Sequence, residues 1–224
     1  EKLHESYKDN RSEAPDELKA QIPIIKQMTS FMGISTHESA GVEADDLIAS
    51  AVESLRNKVE EIFIVSSDKD LAQIVGPGVF QLLPPPTAQP KIGWRKLDVR
   101  GVQEKFGVQP EQIAEYLALI GDSSDNIPGL KGVGPKTATA WLQKFKTLQG
   151  IFDNSGRLNP KRFQGIVHES KDFLLRNLEL TTLEVDHPLE NLGNGELRLE
   201  ELCKLLAEME MANSIRTARQ RYSN

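Results

Sequence analysis

Three short acidic clusters carry the residue types best suited to chemistry in this chain. They lie at 43–46, 68–70 and 122–125, each at the end of a predicted regular element. Carboxylate oxygens without cysteine or histidine suit Mg²⁺ or Mn²⁺ rather than zinc. A site of many carboxylates typically holds two such ions for phosphodiester chemistry. The candidate metal ligands are Glu43, Asp45, Asp46, Asp68, Asp70, Asp122 and Asp125.

Each cluster also has a purely structural explanation when it is taken alone. Acids are favoured in the first turn of a helix by capping and by the helix dipole. In that turn Glu43 and Asp46 share a face, and Asp45 is expected to point elsewhere. Ser67 and Asp70 have the spacing of a capping box, and the third cluster could be a surface turn. The metal interpretation therefore depends on the three clusters together.

A glycine-rich segment follows the third cluster directly. Residues 129–138 read Gly-Leu-Lys-Gly-Val-Gly-Pro-Lys-Thr-Ala and open a predicted helix. Glycines let the backbone approach a phosphate closely, and a helix N-terminus donates amides to it. Such a site recognises the nucleic-acid backbone and not the base sequence. The alternative is a plain connection between two helices, and the P-loop spacing is absent. The candidate DNA-binding residues here are Lys131, Gly132, Gly134, Lys136 and Thr137.

Composition excludes several classes of protein. The 224 residues are 38% hydrophobic, which is ordinary for a globular protein and excludes disorder as the main state. The single cysteine excludes an internal disulfide and a thiolate zinc site. No run approaches the roughly 18 apolar residues that cross a bilayer. The net charge of −6 argues against a nucleic-acid partner. However, without the seven candidate ligands the chain has 27 basic and 26 acidic residues, so the remaining surface is not acidic overall.

Apolar patterning predicts an α/β protein, in which helices alternate with short strands. Leu18, Ile22, Ile25, Met28 and Met32 form one apolar face of a first helix that Gly33 ends. The run 61–65 is typical of a buried parallel strand. Further strands are predicted at 79–83 and 93–97, and further helices at 41–55, 70–75, 98–106, 110–120, 136–145, 171–180 and 199–211.

Four ordered motifs resemble the 5′-nuclease (flap endonuclease) family, and most closely the 5′–3′ exonuclease domain of bacterial DNA polymerase I. They are Glu43–Asp46, Ser67–Leu71, Gly121–Gly129 and Gly132–Ala138, the last similar to the family's helix-three-turn-helix. The likeness covers nearly the whole chain. It implies an α/β fold with a mixed-sheet, PIN-like nuclease core, a helical arch and a helix-three-turn-helix lobe. By that likeness residues 1–126 form the core with 1–40 as the arch region, 127–165 form the lobe, and 166–224 are helices that pack back on the core.

The resemblance also implies an activity. The family hydrolyses phosphodiester bonds at 5′ flaps, nicks or ends of DNA during replication and repair, with two Mg²⁺ or Mn²⁺ ions and products that carry a 5′-phosphate and a 3′-hydroxyl. A K⁺ ion at the hairpin would help to hold duplex DNA. We expect a monomer in the cytoplasm, associated with the nucleoid and not with a membrane.

Residues 7–11 resemble the base of the family's arch. There Lys8 and Arg11 would face the scissile phosphate and stabilise its developing charge, and Tyr7 would stack on a base of the threaded strand. Spacing alone would make Lys8 and Arg11 ordinary solvated charges on a helix.

The sequence departs from the family pattern at its front. A first strand with an early metal-binding aspartate, and a second aspartate before the arch, have no counterpart here. We therefore expect a metal site short of two carboxylates, weak or absent activity, and a sheet with an unpaired edge and an unfilled core. A module that binds branched DNA without cutting it is the main alternative. An RNA-cutting nuclease with a similar acidic core is a third interpretation, and such domains usually lack a duplex-gripping hairpin.

Overall fold

The computed structural model of the chain describes residues 13–222. Its secondary structure is mixed α/β, as predicted. The strands of this part are β1 (Ile62–Val65), β2 (Val79–Leu83), β3 (Arg95–Leu97), β4 (Gly121–Asp122) and β5 (Ile127–Pro128). The α-helices of the same residues are α1 (Asp16–Phe31), α2 (Ala44–Leu55), α3 (Val99–Phe106), α4 (Ile113–Ile120), α5 (Pro135–Phe145), α6 (Leu148–Asp153), α7 (Phe163–Glu169), α8 (Lys171–Thr181), α9 (Leu199–Glu208) and α10 (Ala212–Tyr222).

A three-stranded sheet has the order β1-β2-β3, with β1 parallel to β2 and β3 antiparallel to it. The prediction that the segment 61–65 is a parallel strand is confirmed. The prediction that this strand is buried is wrong for one of its two faces. Ile64 is buried, whereas Phe63 is 47% and Val65 is 61% exposed. On this open face Phe63 stacks on Phe80, and Lys96 Nζ lies 3.4 Å from the centre of the Phe80 ring. Among residues 13–222 no strand pairs with the outer edge of β1.

The chain divides into two compact units, of which the larger contains residues 43–187. Its main core is helical and forms where α4, α5, α6, α7 and α8 bury their apolar faces. A second, smaller core lies under the sheet, between α2, β1 and β2. Side chains of the main core that are completely buried include Ile113, Leu119, Leu142, Ile151, Phe163 and Leu174.

The smaller unit contains residues 13–42 and 188–222. Leu202, Leu206 and Ala218 of α9 and α10 are buried here, and Met28 and Met32 pack against them. The apolar face predicted for α1 is therefore covered only at its C-terminal end. Its other three members stay between 44% and 51% exposed, namely Leu18, Ile22 and Ile25.

Several helices depart from the sequence prediction. The helix predicted at 199–211 ends at Glu208, and α10 was not predicted. The segment predicted as one helix from 110 begins with a 3₁₀ turn at Pro110–Gln112 before α4. Within the part of the chain that the structure describes, no helix combines the length and the apolar character that a bilayer crossing requires.

Candidate functional site

The first acidic cluster stands at the start of α2. Glu43, Asp45 and Asp46 all line one cavity of about 150 Å³. The expectation that Asp45 points elsewhere is therefore wrong. Glu43 is the N-cap residue, yet its side chain makes no capping hydrogen bond, so capping does not explain it. Asp46 Oδ1 accepts a hydrogen bond from Glu184 N at 2.9 Å, but burial outweighs this bond and raises the pKa of Asp46.

The second cluster occupies the loop that leaves the sheet after β1. Asp68 Oδ1 accepts a hydrogen bond from Asp70 N at 3.0 Å, which folds the loop into a short turn before a 3₁₀ helix at Asp70–Ile74. The fully buried Gln81 of β2 donates from Nε2 to the carbonyl of Ser66 at 3.0 Å and also to that of Asp68. The capping box with Ser67 does not form, because no side chain caps the 3₁₀ helix. Gln81 therefore holds the loop after β1 in place through its backbone carbonyls.

Asp70 is the carboxylate of this loop that lines the cavity. Its Oδ1 atom is buried and has no hydrogen-bond partner among the described residues. Burial, followed by the negative charge of Asp68, raises the pKa of Asp70 to about 7. A buried carboxylate oxygen without a partner calls for an explanation, such as a bound ion.

The third cluster is a β-hairpin in which β4 and β5 pair antiparallel. Gly121 has a φ of +80°, and a Cβ atom there would lie 2.3 Å from Gly129 N, so both the conformation and the close approach require glycine. Asp122 is buried, and its Oδ1 accepts a hydrogen bond from Ser124 N at 2.9 Å. Its Oδ2 lies 2.6 Å from Lys69 Nζ. Burial alone would raise the pKa of Asp122, but Lys69 and Ser124 together lower it.

The fold brings the clusters together. Carboxylate oxygens of Asp70, Asp122 and Asp125 all lie within 4.8 Å of one another, close enough to hold one metal ion. Asp70 and Asp125 also line the cavity that the first cluster borders. Six of the seven predicted ligands thus belong to this acidic site. Asp68 is exposed and does not line the cavity, although its backbone shapes the loop.

The structure adds acidic residues that the sequence did not single out. Glu179 and Glu184, from the end of α8 and the loop after it, line the same cavity. Potential ligand atoms of Glu184, Asp186 and His187 form a second group within 4.8 Å, and His187 Nε2 lies 2.8 Å from Glu184 Oε2. Because these residues lie far along the chain from the three clusters, only the tertiary packing of α8 reveals them.

Asn177 of α8 ties the third cluster to its supporting helices. This side chain is 1% exposed and donates from Nδ2 to the carbonyls of Ala118, at 3.0 Å, and of Pro128, at 2.8 Å. One amide thus joins α4, which precedes the hairpin, to β5, which ends it. Thr181 adds a bond from Oγ1 to the Ala114 carbonyl at 2.9 Å.

The glycine-rich segment forms an exposed loop that leads into α5. Leu130 and Val133 are buried and anchor it, while Lys131 and Lys136 are exposed. The five predicted DNA-binding residues accordingly lie together on the loop and on the first turn of the helix. Gly132 has a φ of +83°, Gly134 is the N-cap residue, and Thr137 lies half-buried in the first turn of α5. Tyr7, Lys8 and Arg11 lie outside the described residues.

Two family models match the chain in succession. The 5′-3′ exonuclease N-terminal resolvase-like domain matches residues 1–107, and the 5′-3′ exonuclease C-terminal SAM fold matches residues 108–213. A 5′-3′ exonuclease of Aquifex aeolicus is 36% identical over 217 residues, which are 96% of this chain and 72% of the relative. DNA polymerase I of Caldicellulosiruptor bescii is 33% identical over 225 residues, and there the match covers 95% of this chain but only 25% of the relative.

Solved structures share the fold. The T5 D15 protein, co-crystallised with metal ions, is 21% identical with a TM-score of 0.65, and the likeness covers 98% of this chain and 77% of that one. The catalytic core of Rad2 in complex with DNA substrate is 19% identical with a TM-score of 0.60, covering 92% and 70% respectively. At these identities the likeness shows the fold alone, and it confirms the predicted nuclease fold class.

Proposed function

The chain belongs to the 5′-3′ exonuclease family, and on that premise we propose that it is a metal-dependent nuclease that hydrolyses phosphodiester bonds at 5′ flaps, nicks or ends of DNA. The observation that carries the proposal is the convergence of Asp70, Asp122 and Asp125 within 4.8 Å beside a cavity lined by further carboxylates. A protein that only bound DNA would gain nothing from concentrated negative charge near a phosphate backbone. The site therefore supports cleavage over binding alone.

The residues fit a divalent cation. All the donors are carboxylate oxygens, which suits Mg²⁺ or Mn²⁺, and the buried Asp70 Oδ1 has no partner among the described residues. Asp70, Asp122 and Asp125 would hold one ion, with Glu43, Asp45, Asp46 and Asp68 as ligands of a second ion or of its waters. Such ions supply a water of lowered pKa and stabilise the leaving oxygen. This chain's own contribution is to hold the carboxylates in place through Gln81 and Asn177.

The exposed loop at 129–137 would hold duplex DNA by its phosphates. Lys131 and Lys136 supply charge, Gly132 and Gly134 let the backbone approach, and Thr137 adds a hydroxyl at the first turn of α5. A K⁺ ion at this loop remains part of the proposal. Lys8 and Arg11 remain predicted to act at the scissile phosphate, and Tyr7 at a frayed base.

The cellular role follows from the same premise. The Aquifex aeolicus relative is a 5′-3′ exonuclease, and the Caldicellulosiruptor bescii relative is a DNA polymerase I. We infer that this chain acts as a monomer on DNA in replication or repair, in the cytoplasm near the nucleoid. Analytical ultracentrifugation of the free protein would test the monomer.

The test is cleavage of a 5′-end-labelled flap duplex with Mg²⁺, with Mn²⁺ and with EDTA. We expect a short labelled fragment with either metal and none with EDTA. Loss of a residue that only supports a metal ligand typically costs about 10- to 100-fold, so Asp70→Asn and Asp122→Asn should reduce turnover by about a hundredfold or more. Duplex affinity should change little. Asp172→Asn removes an exposed carboxylate at the start of α8 and is the matched control.

The same assay separates the alternatives. A gel shift with flap DNA but no cleavage under either metal would favour a DNA-structure-binding module. Cleavage of an RNA flap in preference to the DNA flap would favour an RNA nuclease. Equal turnover by Asp70→Asn and the unaltered chain would contradict the assignment of the acidic site.

A further inference from the structure

We propose that Lys69 is the resident counter-cation of Asp122, and that it competes with a divalent ion for the Oδ2 atom of that carboxylate. Lys69 would hold Asp122 in place before an ion enters and withdraw when one binds. The inference rests on the proposed function, because the competing ion is the one that the acidic site would take. Lys69 acts here as a positioning residue.

The contact geometry shows why Asp122 needs a partner. Its side chain is only 3% exposed, so an uncompensated charge there would lose nearly all of its hydration. Lys69 Nζ lies 2.6 Å from Oδ2, and Ser124 N donates to Oδ1 at 2.9 Å. Both oxygens of Asp122 are thus occupied. The neighbouring Asp70 differs, since its buried Oδ1 has no partner among the described residues.

Two features make Lys69 able to withdraw. Its side chain is 33% exposed, which leaves the ammonium a path to water. Lysine also carries its charge on a flexible four-carbon stem, unlike the rigid fork of arginine. An ion held by carboxylates that lie within 4.8 Å of one another would place two positive charges close to the ammonium. Repulsion between these charges would push Lys69 off Oδ2, so binding of the ion and the lysine contact should oppose each other.

The test compares the full chain with Lys69→Met in two measurements. In EDTA, Lys69→Met should melt several degrees below the unaltered protein, because Asp122 is left buried without its counter-charge. Titration with Mn²⁺ alone should give an affinity about tenfold tighter for Lys69→Met, because a repelling charge has been removed. Lys69→Arg keeps a cation and should restore the melting temperature in EDTA. Lys58→Met is the control, since Lys58 is exposed beyond the opposite end of α2.

A double-mutant cycle isolates the pair. In an Asp122→Asn background the carboxylate charge is gone, so adding Lys69→Met should lower the melting temperature much less than it does in the unaltered chain. This comparison still applies if Lys69→Met alone fails to fold. An unchanged melting temperature in EDTA would overturn the counter-cation role. Unchanged or weaker Mn²⁺ binding by Lys69→Met would overturn the competition.

These outcomes are distinguishable from failure of the proposed function. If the unaltered chain bound no Mn²⁺, both the proposed metal site and the proposed competition for Oδ2 would be contradicted. The melting temperatures in EDTA would still decide whether Lys69 supports Asp122. If Mn²⁺ binds and is lost in Asp70→Asn, the metal site stands regardless of how Lys69→Met behaves.

Discussion

At the scale of single residues, the Asp70 carboxyl has a pKa far above its ordinary value. Burial and the charge of Asp68 raise its pKa to about 7, against an ordinary value of 3.8. Between these two values the folded state binds a proton that the unfolded state has lost. The free energy of unfolding of the metal-free protein should therefore fall as the pH rises across this window, by up to about 1.4 kcal/mol per pH unit from this group.

The measurement is urea unfolding in EDTA from about pH 5 to about pH 7. Asp70→Asn removes the titrating group, so its stability relative to the unaltered chain should improve steadily as the pH rises. Asp122 contributes no slope in this window, because its pKa lies below the usual range and its contribution is lost only at lower pH. Asp172→Asn, on the exposed side of α8, should run parallel to the unaltered protein. A pH-independent difference between Asp70→Asn and the unaltered chain would contradict the raised pKa.

The residue types of the acidic site could be predicted from the sequence, but their partners could not. Asp70, Asp122 and Asp125 could be predicted because they belong to acidic clusters at the ends of regular elements, where ligands often bind. Glu179 and Glu184 stayed unpredicted, because they reach the cavity only through the packing of α8. Likewise the sequence did not single out Lys69, since no spacing rule places it on a carboxylate 53 positions further along the chain.

At the scale of elements, Asn177 holds the hairpin of the third cluster against α4 and α8. The carbonyl of Ala118 lies in the last turn of α4, where helical carbonyls lack partners within the helix. Asn177→Leu would leave the Ala118 carbonyl buried without its donor, at a cost of about 1–3 kcal/mol, and would also remove the hydrogen bond to the part-buried Pro128 carbonyl. We expect a lower free energy of unfolding by urea, together with weaker Mn²⁺ binding because β4 carries Asp122.

Leu175→Ala is the control on the same helix. Leu175 is 41% exposed, so its truncation should change the free energy of unfolding by no more than about 0.5 kcal/mol and leave Mn²⁺ affinity unchanged. If Asn177→Leu matched Leu175→Ala in both readouts, the two amide hydrogen bonds would not support the hairpin.

Elements with strong apolar patterning could be predicted, and short or irregular ones could not. The strands β1 and β2 and the helices α2, α3, α5 and α8 lie close to their predicted positions, because each has a clear apolar run or stripe. β4 and β5 have two residues each, too few to show any alternation. The short α6 and α7 were not predicted for a similar reason. The predicted boundaries at 126 and 165 remain predictions.

At the scale of the whole molecule, the proposed binding of DNA must occur although the chain has a net charge of −6. The acidic site concentrates much of the negative charge, and the loop at 129–137 presents Lys131 and Lys136 on an exposed surface. Because fields act locally in salt, with a screening length of about 10 Å at 0.1 M, the lysines of the loop can attract phosphates despite the overall charge. The affinity for duplex DNA should then depend on a small number of contacts between lysines and phosphates.

The salt dependence of duplex binding counts those contacts. Lys131→Ala and Lys136→Ala should each weaken binding of metal-free protein and reduce the slope of log affinity against log salt by about 0.9, as loss of one phosphate contact does. Duplexes of different sequence should be affected equally, because phosphate contacts carry no sequence information. The buried Leu130 and Val133 keep the loop in place, so the melting temperature should not change. Lys58→Ala should leave both slope and affinity unaltered, and a Lys131→Ala slope equal to that of Lys58→Ala would show that the loop does not bind DNA.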